Sequence, residues 1–149
     1  MSHGDIRGGI TDWGEPVIEL EVIGCDDPVL VLIDTGFNRE VFLLEAERIA
    51  LGLAPKSSNY VRDSNVYVAD GKVPQEHTYE TVAKVRWFGA VLDVAVLVFN
   101  PPQSRGSQAS RQEKHDYRAV IGWGLLRQCV MTIDYPAKTV TLSRQAPLI

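Results

Sequence analysis

The sequence contains few of the residues on which metal sites and covalent catalysis depend. Two of its 149 residues are cysteines, Cys25 and Cys129, and three are histidines. The histidines, at positions 3, 77 and 115, follow no metal-ligand spacing, so we predict no metal and no cofactor. Neither cysteine lies in a recognisable Cys/His setting and no Gly-x-Ser-x-Gly motif is present, so the sequence does not indicate a covalent nucleophile.

Signals for export or membrane insertion are also lacking. No apolar run reaches the length of about 18 residues that spans a bilayer. The opening MSHGDIRGGITDWGEP has no basic segment followed by an apolar one, as a secretory signal would. Without such a signal, two reduced thiols are a better interpretation than a disulfide between Cys25 and Cys129, although pairing stays open. We therefore expect a cytoplasmic protein without a membrane partner.

Positive charge is in short supply as well. The formal net charge is -4 at pH 7, which argues against nucleic acid as the main partner. A chain of 149 residues, 45% of them hydrophobic, is long enough for one domain with a sizeable core and too short for two such domains. We predict a loose, Gly-rich arm over residues 1–15 and a single domain over residues 16–149.

The distribution of apolar residues predicts an all-β fold. One helix is predicted over residues 44–51, ended by Gly52, and a short helix over residues 125–129. The polar segment 100–118 is predicted to be a long surface loop. Strands are predicted over residues 16–23, 29–33, 41–43, 59–68, 80–87, 91–99, 131–135 and 139–142. Many short strands with little helix indicate a barrel or a sandwich.

One acidic residue stands out in the run VLVLIDTGFN, where Asp34 follows five apolar residues. A strand so apolar is expected to be buried on both faces, where an unpaired carboxylate is costly. Gly36 allows backbone amides to approach the carboxylate, and the Thr35 hydroxyl can hold the loop by a hydrogen bond elsewhere. The same three residues could instead form an ordinary turn that closes a hairpin. The tripeptide alone leaves both interpretations open.

With the segments around it, the motif resembles the retroviral-type, or retropepsin-like, aspartic proteases, especially their bacterial and archaeal single-domain members. The resemblance covers roughly residues 16–142. The matching features are the apolar run into Asp34-Thr35-Gly36-Phe37, the following EAERIALGL, the hairpin bend Val68-Ala69-Asp70-Gly71, the apolar strand 91–99, Ala119-Val120-Ile121-Gly122 before Leu125-Leu126, and the closing MTIDYPAKTVTL.

The resemblance implies an acid-protease barrel and an aspartic endopeptidase. Asp34 would be the catalytic carboxylate, Thr35 would brace the opposite loop across a dimer interface, and Gly36 would present backbone groups to the carboxylates. Aspartic proteolysis needs two carboxylates that share one proton around a water molecule. Because this chain has a single Asp-Thr-Gly, the active site would require a homodimer, with no metal and no covalent intermediate.

The resemblance also implies residues that contact an extended peptide or protein substrate. The last strands would help to join the two subunits. The hairpin bend would be a flap that closes over the substrate, and a second segment would lie beside the active-site loop. The residues in these two segments are Val68, Ala69, Asp70 and Gly71 in the flap, and Ile121 and Gly122 beside the loop.

Three features depart from the family pattern. Trp123-Gly124 stands where the viral enzymes usually carry a charged or polar pair, which removes a helix-anchoring contact. The loop 100–118 is longer than its viral counterpart, and the flap bend has an Asp and a Lys rather than a run of glycines. Trp123-Gly124 and the flap bend support an alternative: a weak or inactive dimer that serves as a peptide-binding or assembly module. A third possibility is an unrelated small β-barrel with a chance Asp-Thr-Gly.

Overall fold

The computed structural model describes residues 4–53, 67–68, 71–72, 78–100 and 119–145, and this part of the chain is mostly β-strand. In chain order, its strands and helices are β1 (Ile6–Ile10), β2 (Pro16–Val22), β3 (Val29–Ile33), β4 (Val41–Leu44), α1 (Glu45–Ala50), β5 (Tyr67–Val68), β6 (Gly71–Lys72), β7 (Thr78–Trp87), β8 (Ala90–Phe99), β9 (Ala119–Ile121), α2 (Trp123–Leu126), β10 (Cys129–Asp134) and β11 (Thr139–Arg144).

Six of these strands form a closed barrel. In the main sheet they follow the order β2-β3-β9-β4-β8-β7, and an additional pairing between β2 and β7 closes the ring. The pairs β3–β9 and β4–β8 are parallel and the other barrel pairs are antiparallel. The predicted all-β barrel is therefore confirmed, as a mixed, six-stranded barrel.

Three further strands continue the same sheet beyond β2, in the order β1, β11 and β10. We call β1, β11 and β10 the three-stranded extension. Its outermost strand, β10, pairs with β11 over its whole length, from Cys129 opposite Arg144 to Asp134 opposite Thr139. Within the described residues β10 has a strand neighbour on that side alone.

Strands β3 and β4 carry buried apolar side chains on both faces, as predicted for the apolar run before Asp34. Along β3, Val31 and Ile33 point into the main core, whereas Leu32 belongs to a second, smaller cluster on the opposite face. The same alternation divides β4, whose Phe42 lies in the second cluster. Leu30 is an exception, since it is 55% exposed.

Helix α1 confirms the predicted helix within one residue at its start, and it is held against the barrel by charged groups. Gly52, with φ +68°, ends the turn that follows it. Arg48 donates two hydrogen bonds to Glu45, at 2.6 and 3.0 Å, and a third to the carbonyl of Leu53 at 2.6 Å. The Tyr79 hydroxyl of β7 donates to the same Glu45 carboxylate. The helix is thereby tied to the barrel wall.

The structure corrects two of the sequence predictions. Residues 6–10, placed in a loose arm because of their glycines, form β1 between β2 and β11. The glycine at position 8 serves close packing, since a Cβ there would lie 2.0 Å from the Val17 carbonyl oxygen. The short helix predicted over 125–129 begins earlier, at Trp123, because the Gly122 carbonyl accepts the first helical hydrogen bonds. Cys129 opens β10 instead.

Other predictions fall wholly or partly outside the described residues. These are the extended segment 59–68, except for β5, and the surface loop 100–118, except for Asn100. None of the described helices is long and apolar enough to cross a membrane.

Candidate active site

The Asp-Thr-Gly motif forms a tight loop at the end of β3. The Asp34 N–H donates to the Ile121 carbonyl of β9 at 3.0 Å, and its carbonyl accepts from the Phe37 N–H at 3.1 Å. Its side-chain Oδ1 accepts a hydrogen bond from the Gly36 N–H at 2.9 Å. The backbone and one carboxylate oxygen of Asp34 are therefore fixed, while Thr35 and Gly36 are exposed.

The second carboxylate oxygen of Asp34 has a different environment. Oδ2 is buried, and no group in the described part of the chain gives it a hydrogen bond. A buried polar atom without a donor costs free energy, so such atoms are uncommon in folded proteins. Asp34 is thus a rigidly held carboxylate with one oxygen left for a further donor.

Gly122 lies directly against the loop that carries Asp34. A Cβ at this position would approach the carbonyl oxygens of Phe37 and Arg39 to 2.3 and 2.6 Å. The Gly122 N–H donates to the Glu40 carbonyl at 3.0 Å. Only a residue without a side chain fits between β9 and the loop, which explains the glycine.

The Trp123-Gly124 pair anchors α2 to the same loop through its backbone. The Trp123 N–H donates to the Phe37 carbonyl at 2.8 Å, and the Gly124 N–H donates to the Arg39 carbonyl at 3.1 Å. A Cβ on Gly124 would lie 2.9 Å from the Glu40 nitrogen. The sequence prediction treated this pair as the loss of a side-chain anchor. Sequence reasoning missed that its peptide groups anchor the helix, although Gly-x-Gly after a buried strand was an available signal.

Aromatic packing supports the loop from below. Phe37 is fully buried and meets Phe42 of β4 edge to face, with 6.1 Å between ring centroids. Phe42 in turn lies 6.4 Å from the Phe99 ring of β8. Together with Leu32 and Val120 these residues form the second apolar cluster. The Asp34 loop therefore packs on this cluster and has little freedom to move.

Two side chains after the motif tie the loop to the far wall of the barrel. Arg39 pairs with Glu80 of β7, at 2.5 Å between Nη1 and Oε1. Glu40 accepts a hydrogen bond from the Ala95 N–H of β8 at 2.7 Å. The loop is thus held by β9, β7 and β8 together.

The structure brings five predicted site residues into one place. The Ile121 carbonyl accepts the Asp34 N–H and Gly122 packs on the loop, so these two segments lie against each other. Ile121 itself is fully buried, so its side chain supports the loop from behind and is not part of the surface. The five residues are Asp34, Thr35, Gly36, Ile121 and Gly122.

The predicted flap is described only in part. Val68 pairs with Gly71, and the two short strands β5 and β6 form a separate two-stranded sheet. This agrees with a hairpin at the predicted position. Ala69 and Asp70, at its bend, lie outside the described residues.

The described residues give little support for metal or thiol chemistry at this loop. Among the residues that the structure describes, no group of three His, Cys, Asp or Glu side chains is arranged to hold a metal ion. Cys25 and Cys129 are free thiols whose Sγ atoms donate to the carbonyls of Leu51 and Leu125, at 3.6 and 3.8 Å. Burial raises the pKa of the Cys129 thiol, which disfavours the reactive thiolate.

Comparison with known proteins gives a clear result for the fold. No family model matches the sequence, and no curated protein sequence matches it. A crystal structure of a retropepsin-like aspartic protease from Rickettsia conorii is similar, with a TM-score of 0.59 at 16% identity over 93% of this chain and 89% of that chain. EIAV protease, complexed with an inhibitor, is similar at a TM-score of 0.46 and 19% identity, over 76% of this chain and 86% of that chain. With Asp-Thr-Gly at the end of a barrel strand, this chain has the retropepsin-like aspartic-protease fold.

Proposed function

We propose that this protein is an aspartic endopeptidase whose active site contains two Asp34 carboxylates, one from each subunit of a homodimer. The observation that carries the proposal is the setting of Asp34 itself. Its Oδ1 is held by the Gly36 N–H, and its Oδ2 is buried without a donor from the described part of the chain. A second Asp34 carboxyl that shares a proton would supply that donor.

The dimer follows from the count of catalytic groups. The sequence contains one Asp-Thr-Gly, and the described residues bring no other carboxylate to Asp34 Oδ2. Two copies related by a two-fold axis would present the same loop to each other. Thr35, exposed at the tip of the loop, would brace the loop of the second copy.

The chemistry is general acid–base catalysis on a water molecule. The ionised Asp34 takes a proton as the water oxygen attacks the peptide carbonyl carbon. The protonated Asp34 gives its proton to the carbonyl oxygen, which yields a neutral tetrahedral diol. Transfer of a proton to the amide nitrogen, as one diol hydroxyl returns its proton to a carboxylate, breaks the C–N bond and releases an acid and an amine.

The substrate would be an extended peptide or protein segment in the groove above the loop. Strand-like peptides bind through backbone hydrogen bonds and alternate side-chain pockets. The flap residues Val68, Ala69, Asp70 and Gly71 would cover it, and Gly122 would border it. Because Ile121 is fully buried, its contribution is the carbonyl that holds Asp34.

A binding or assembly module remains the alternative function. One argument for it was that Trp123-Gly124 would fail to anchor α2. The backbone bonds of both residues to the loop now weaken that argument.

The experiment that tests the proposal is cleavage of a diverse peptide library from about pH 4 to about pH 7, where a shared carboxyl pair is active. We expect cleavage by the native chain, inhibition by a statine-type compound, and no cleavage by Asp34→Asn. Cleavage that persists in Asp34→Asn would contradict the mechanism. A dimer that binds peptides without cleaving them would establish the alternative.

A further inference from the structure

Two adjoining turns carry exposed aromatic side chains. Trp13, in the turn between β1 and β2, is 67% exposed, and Tyr135, in the turn between β10 and β11, is 60% exposed. The two turns contact each other, because Lys138 Nζ lies 3.2 Å from Asp12 Oδ1. We call these two turns, residues 11–15 and 135–138, the aromatic turns.

The first of these turns does not need a tryptophan. The Gly14 N–H donates to the Thr11 carbonyl and the Thr11 N–H donates to the Glu15 carbonyl, both at 2.9 Å. Gly14 takes the positive φ of the turn, +80°. Turns of this kind select small or polar residues. Trp13 is therefore held in position by its neighbours, while its ring serves neither the turn nor a core.

The second turn does not need its tyrosine ring either. Asp134 Oδ1 accepts the Ala137 N–H at 2.9 Å, and the Tyr135 carbonyl accepts the Lys138 N–H at 3.1 Å. These bonds use the backbone of Tyr135 and leave its ring exposed. Large aromatic side chains gain much from burial, so two of them on adjoining, hydrogen-bonded turns are suited to a contact with another molecule.

Strand register places the aromatic turns beside Asp34. In the antiparallel pair of β2 and β3, Val17 lies opposite Leu32, so Glu15 is at the level of Asp34, one strand away. Strand β11, which follows the second turn, lies three strands from β3. Neighbouring strands are about 4.8 Å apart, so the two turns lie roughly 5 and 14 Å from the strand of Asp34. An extended peptide covers the longer distance with about four residues.

We propose that the aromatic turns bind an aromatic or large apolar side chain of the substrate peptide, about four residues from the cleaved bond. The inference rests on the proposed function, because it needs an extended peptide that crosses the Asp34 loop. The charged groups between the turns, Asp12 and Lys138, already pair with each other, which favours an uncharged occupant. Binding energy gained far from the cleaved bond can be used to position that bond.

The first test compares three peptides built around a bond that the native chain cleaves. One is a core of about six residues, the second extends the core by about four residues on each side with a phenylalanine in each extension, and the third has serine instead. The phenylalanine extension should raise kcat/KM by about tenfold over the serine extension. This gain should fall in Trp13→Ala and vanish when Tyr135→Ala is added.

The control variant alters an exposed apolar residue elsewhere. Ile23 is 37% exposed and directly follows β2, at the opposite end of that strand from the aromatic turns. Ile23→Ala should keep the native gain. The gain compares two peptides on one variant, so it does not depend on how much of that variant is folded. A native gain in the variant that lacks both aromatic rings would overturn the proposal.

A second measurement detects binding without cleavage. Asp34→Asn is mixed with two pools of random peptides of about ten residues, one with phenylalanine near each end and the other with serine there. In competition with a labelled peptide, the phenylalanine pool should bind about tenfold more tightly. Adding Trp13→Ala to Asp34→Asn should reduce the difference. Equal binding of the two pools to Asp34→Asn would contradict the inference.

Failure of this inference can be told apart from failure of the proposed function. Preference for the phenylalanine pool, without peptidase activity in the native chain, would uphold the aromatic turns as a binding site and reject the enzyme. Peptidase activity without that preference would do the reverse. The absence of both would overturn the two proposals together.

Discussion

Two aspartates of this chain stand at strand ends with nearly the same local chemistry. Asp34 follows Ile33 at the end of β3, and Asp134 follows Ile133 in β10. Each accepts a backbone N–H on Oδ1 at 2.9 Å, from Gly36 in the first case and from Ala137 in the second. Judged by the turn alone, the two would be equivalent.

Their tertiary settings differ. The Asp134 turn is exposed and leads straight into β11. The Asp34 loop is packed against β9 and over the second apolar cluster, and Asp34 Oδ2 is buried without a donor in the described part of the chain. The comparison teaches that an acid at a strand end becomes a candidate for catalysis through what surrounds its second oxygen, and not through the turn that it closes.

The largest difference should appear in activity. Asp34→Asn should lower peptidase activity by about 10²- to 10⁴-fold, the contribution of a general acid–base group. Asp134→Asn keeps an oxygen that can accept the Ala137 N–H, so its activity should be native. Rates on one peptide substrate, measured for both variants, check this prediction. Equal losses in the two variants would remove the distinction between the two aspartates.

The aromatic residues in the Asp34 loop and in the Asp134 turn should contribute differently to the free energy of unfolding. Phe37 is fully buried under the Asp34 loop, whereas Tyr135 in the Asp134 turn is 60% exposed. Phe37→Ala should lower the free energy of unfolding by about 3–5 kcal/mol, because it leaves a cavity in the second cluster. Tyr135→Ala should change it by less than about 0.5 kcal/mol. Urea denaturation of both variants measures this difference. Similar unfolding midpoints would contradict the packing of Phe37 in the second apolar cluster.

The space around the Asp34 loop can be tested with glycines. Gly122→Ala would place a Cβ 2.3 Å from the Phe37 carbonyl oxygen, so it should cost about 3 kcal/mol through a backbone shift. Gly4→Ala, where no atom lies within 4 Å of the added Cβ, is the control and should be neutral. Thermal denaturation with a peptidase assay checks both. If Gly122→Ala kept native stability and activity, the close contact would not be needed.

A smaller effect should come from pH, through Glu45. Unlike Asp34 Oδ2, the Glu45 carboxylate accepts hydrogen bonds within the described part of the chain. Hydrogen bonds from Arg48 lower the pKa of Glu45 below its ordinary value of 4.5, and the hydrogen bond from Tyr79 acts in the same direction. A lowered folded-state pKa gives stability that is complete above the unfolded pKa and is lost as pH falls through the folded one.

Glu45→Gln should therefore cost about 1 kcal/mol near neutral pH, and the difference from the native chain should shrink in acid. Asp93→Asn is the control, because Asp93 pairs with Lys84 where both side chains are more than 60% exposed, at 63% and 62%. Denaturant titrations across the acid range would show the trend. A cost for Glu45→Gln that stayed constant with pH would contradict the lowered pKa.

The contacts among Glu45, Arg48 and Tyr79 also affect a titration at alkaline pH. Burial, and then the hydrogen bond to Glu45, raise the pKa of Tyr79 to about 12. Tyr79 should thus stay protonated until well above the usual range of tyrosine. Ultraviolet titration against Tyr79→Phe would identify its ionisation, and a normal tyrosine pKa would contradict the burial of Tyr79 together with its hydrogen bond to Glu45.

Several features could be read from the sequence because they depend on neighbouring residues. The apolar run before Asp34 predicted β3, and helix formers before Gly52 predicted α1. The resemblance of Asp-Thr-Gly and the later Val120-Ile121-Gly122 to a known family implied the specific fold. Local patterns of this kind survive into the structure because strand alternation and helix termination are short-range effects.

Other features could not be read because they depend on contacts between distant segments. The glycines before β2 suggested a loose arm, yet position 8 needs glycine because Val17 is so close. Trp123-Gly124 suggested a lost anchor, yet the anchor lies in peptide groups that any sequence carries. In both cases the glycine lies against a segment that is distant in the sequence, so its reason shows only in the folded chain.

The sequence by itself determined most of the strands, the single Asp-Thr-Gly and hence the count of one candidate carboxylate per chain. The tertiary structure decided which strand-end acid is packed into a rigid loop, which oxygen of Asp34 is buried without a donor among the described residues, and which turn carries an exposed Trp13 one strand away from Asp34. The physical reason is that burial and unmet hydrogen bonds are properties of packing between segments far apart in the chain.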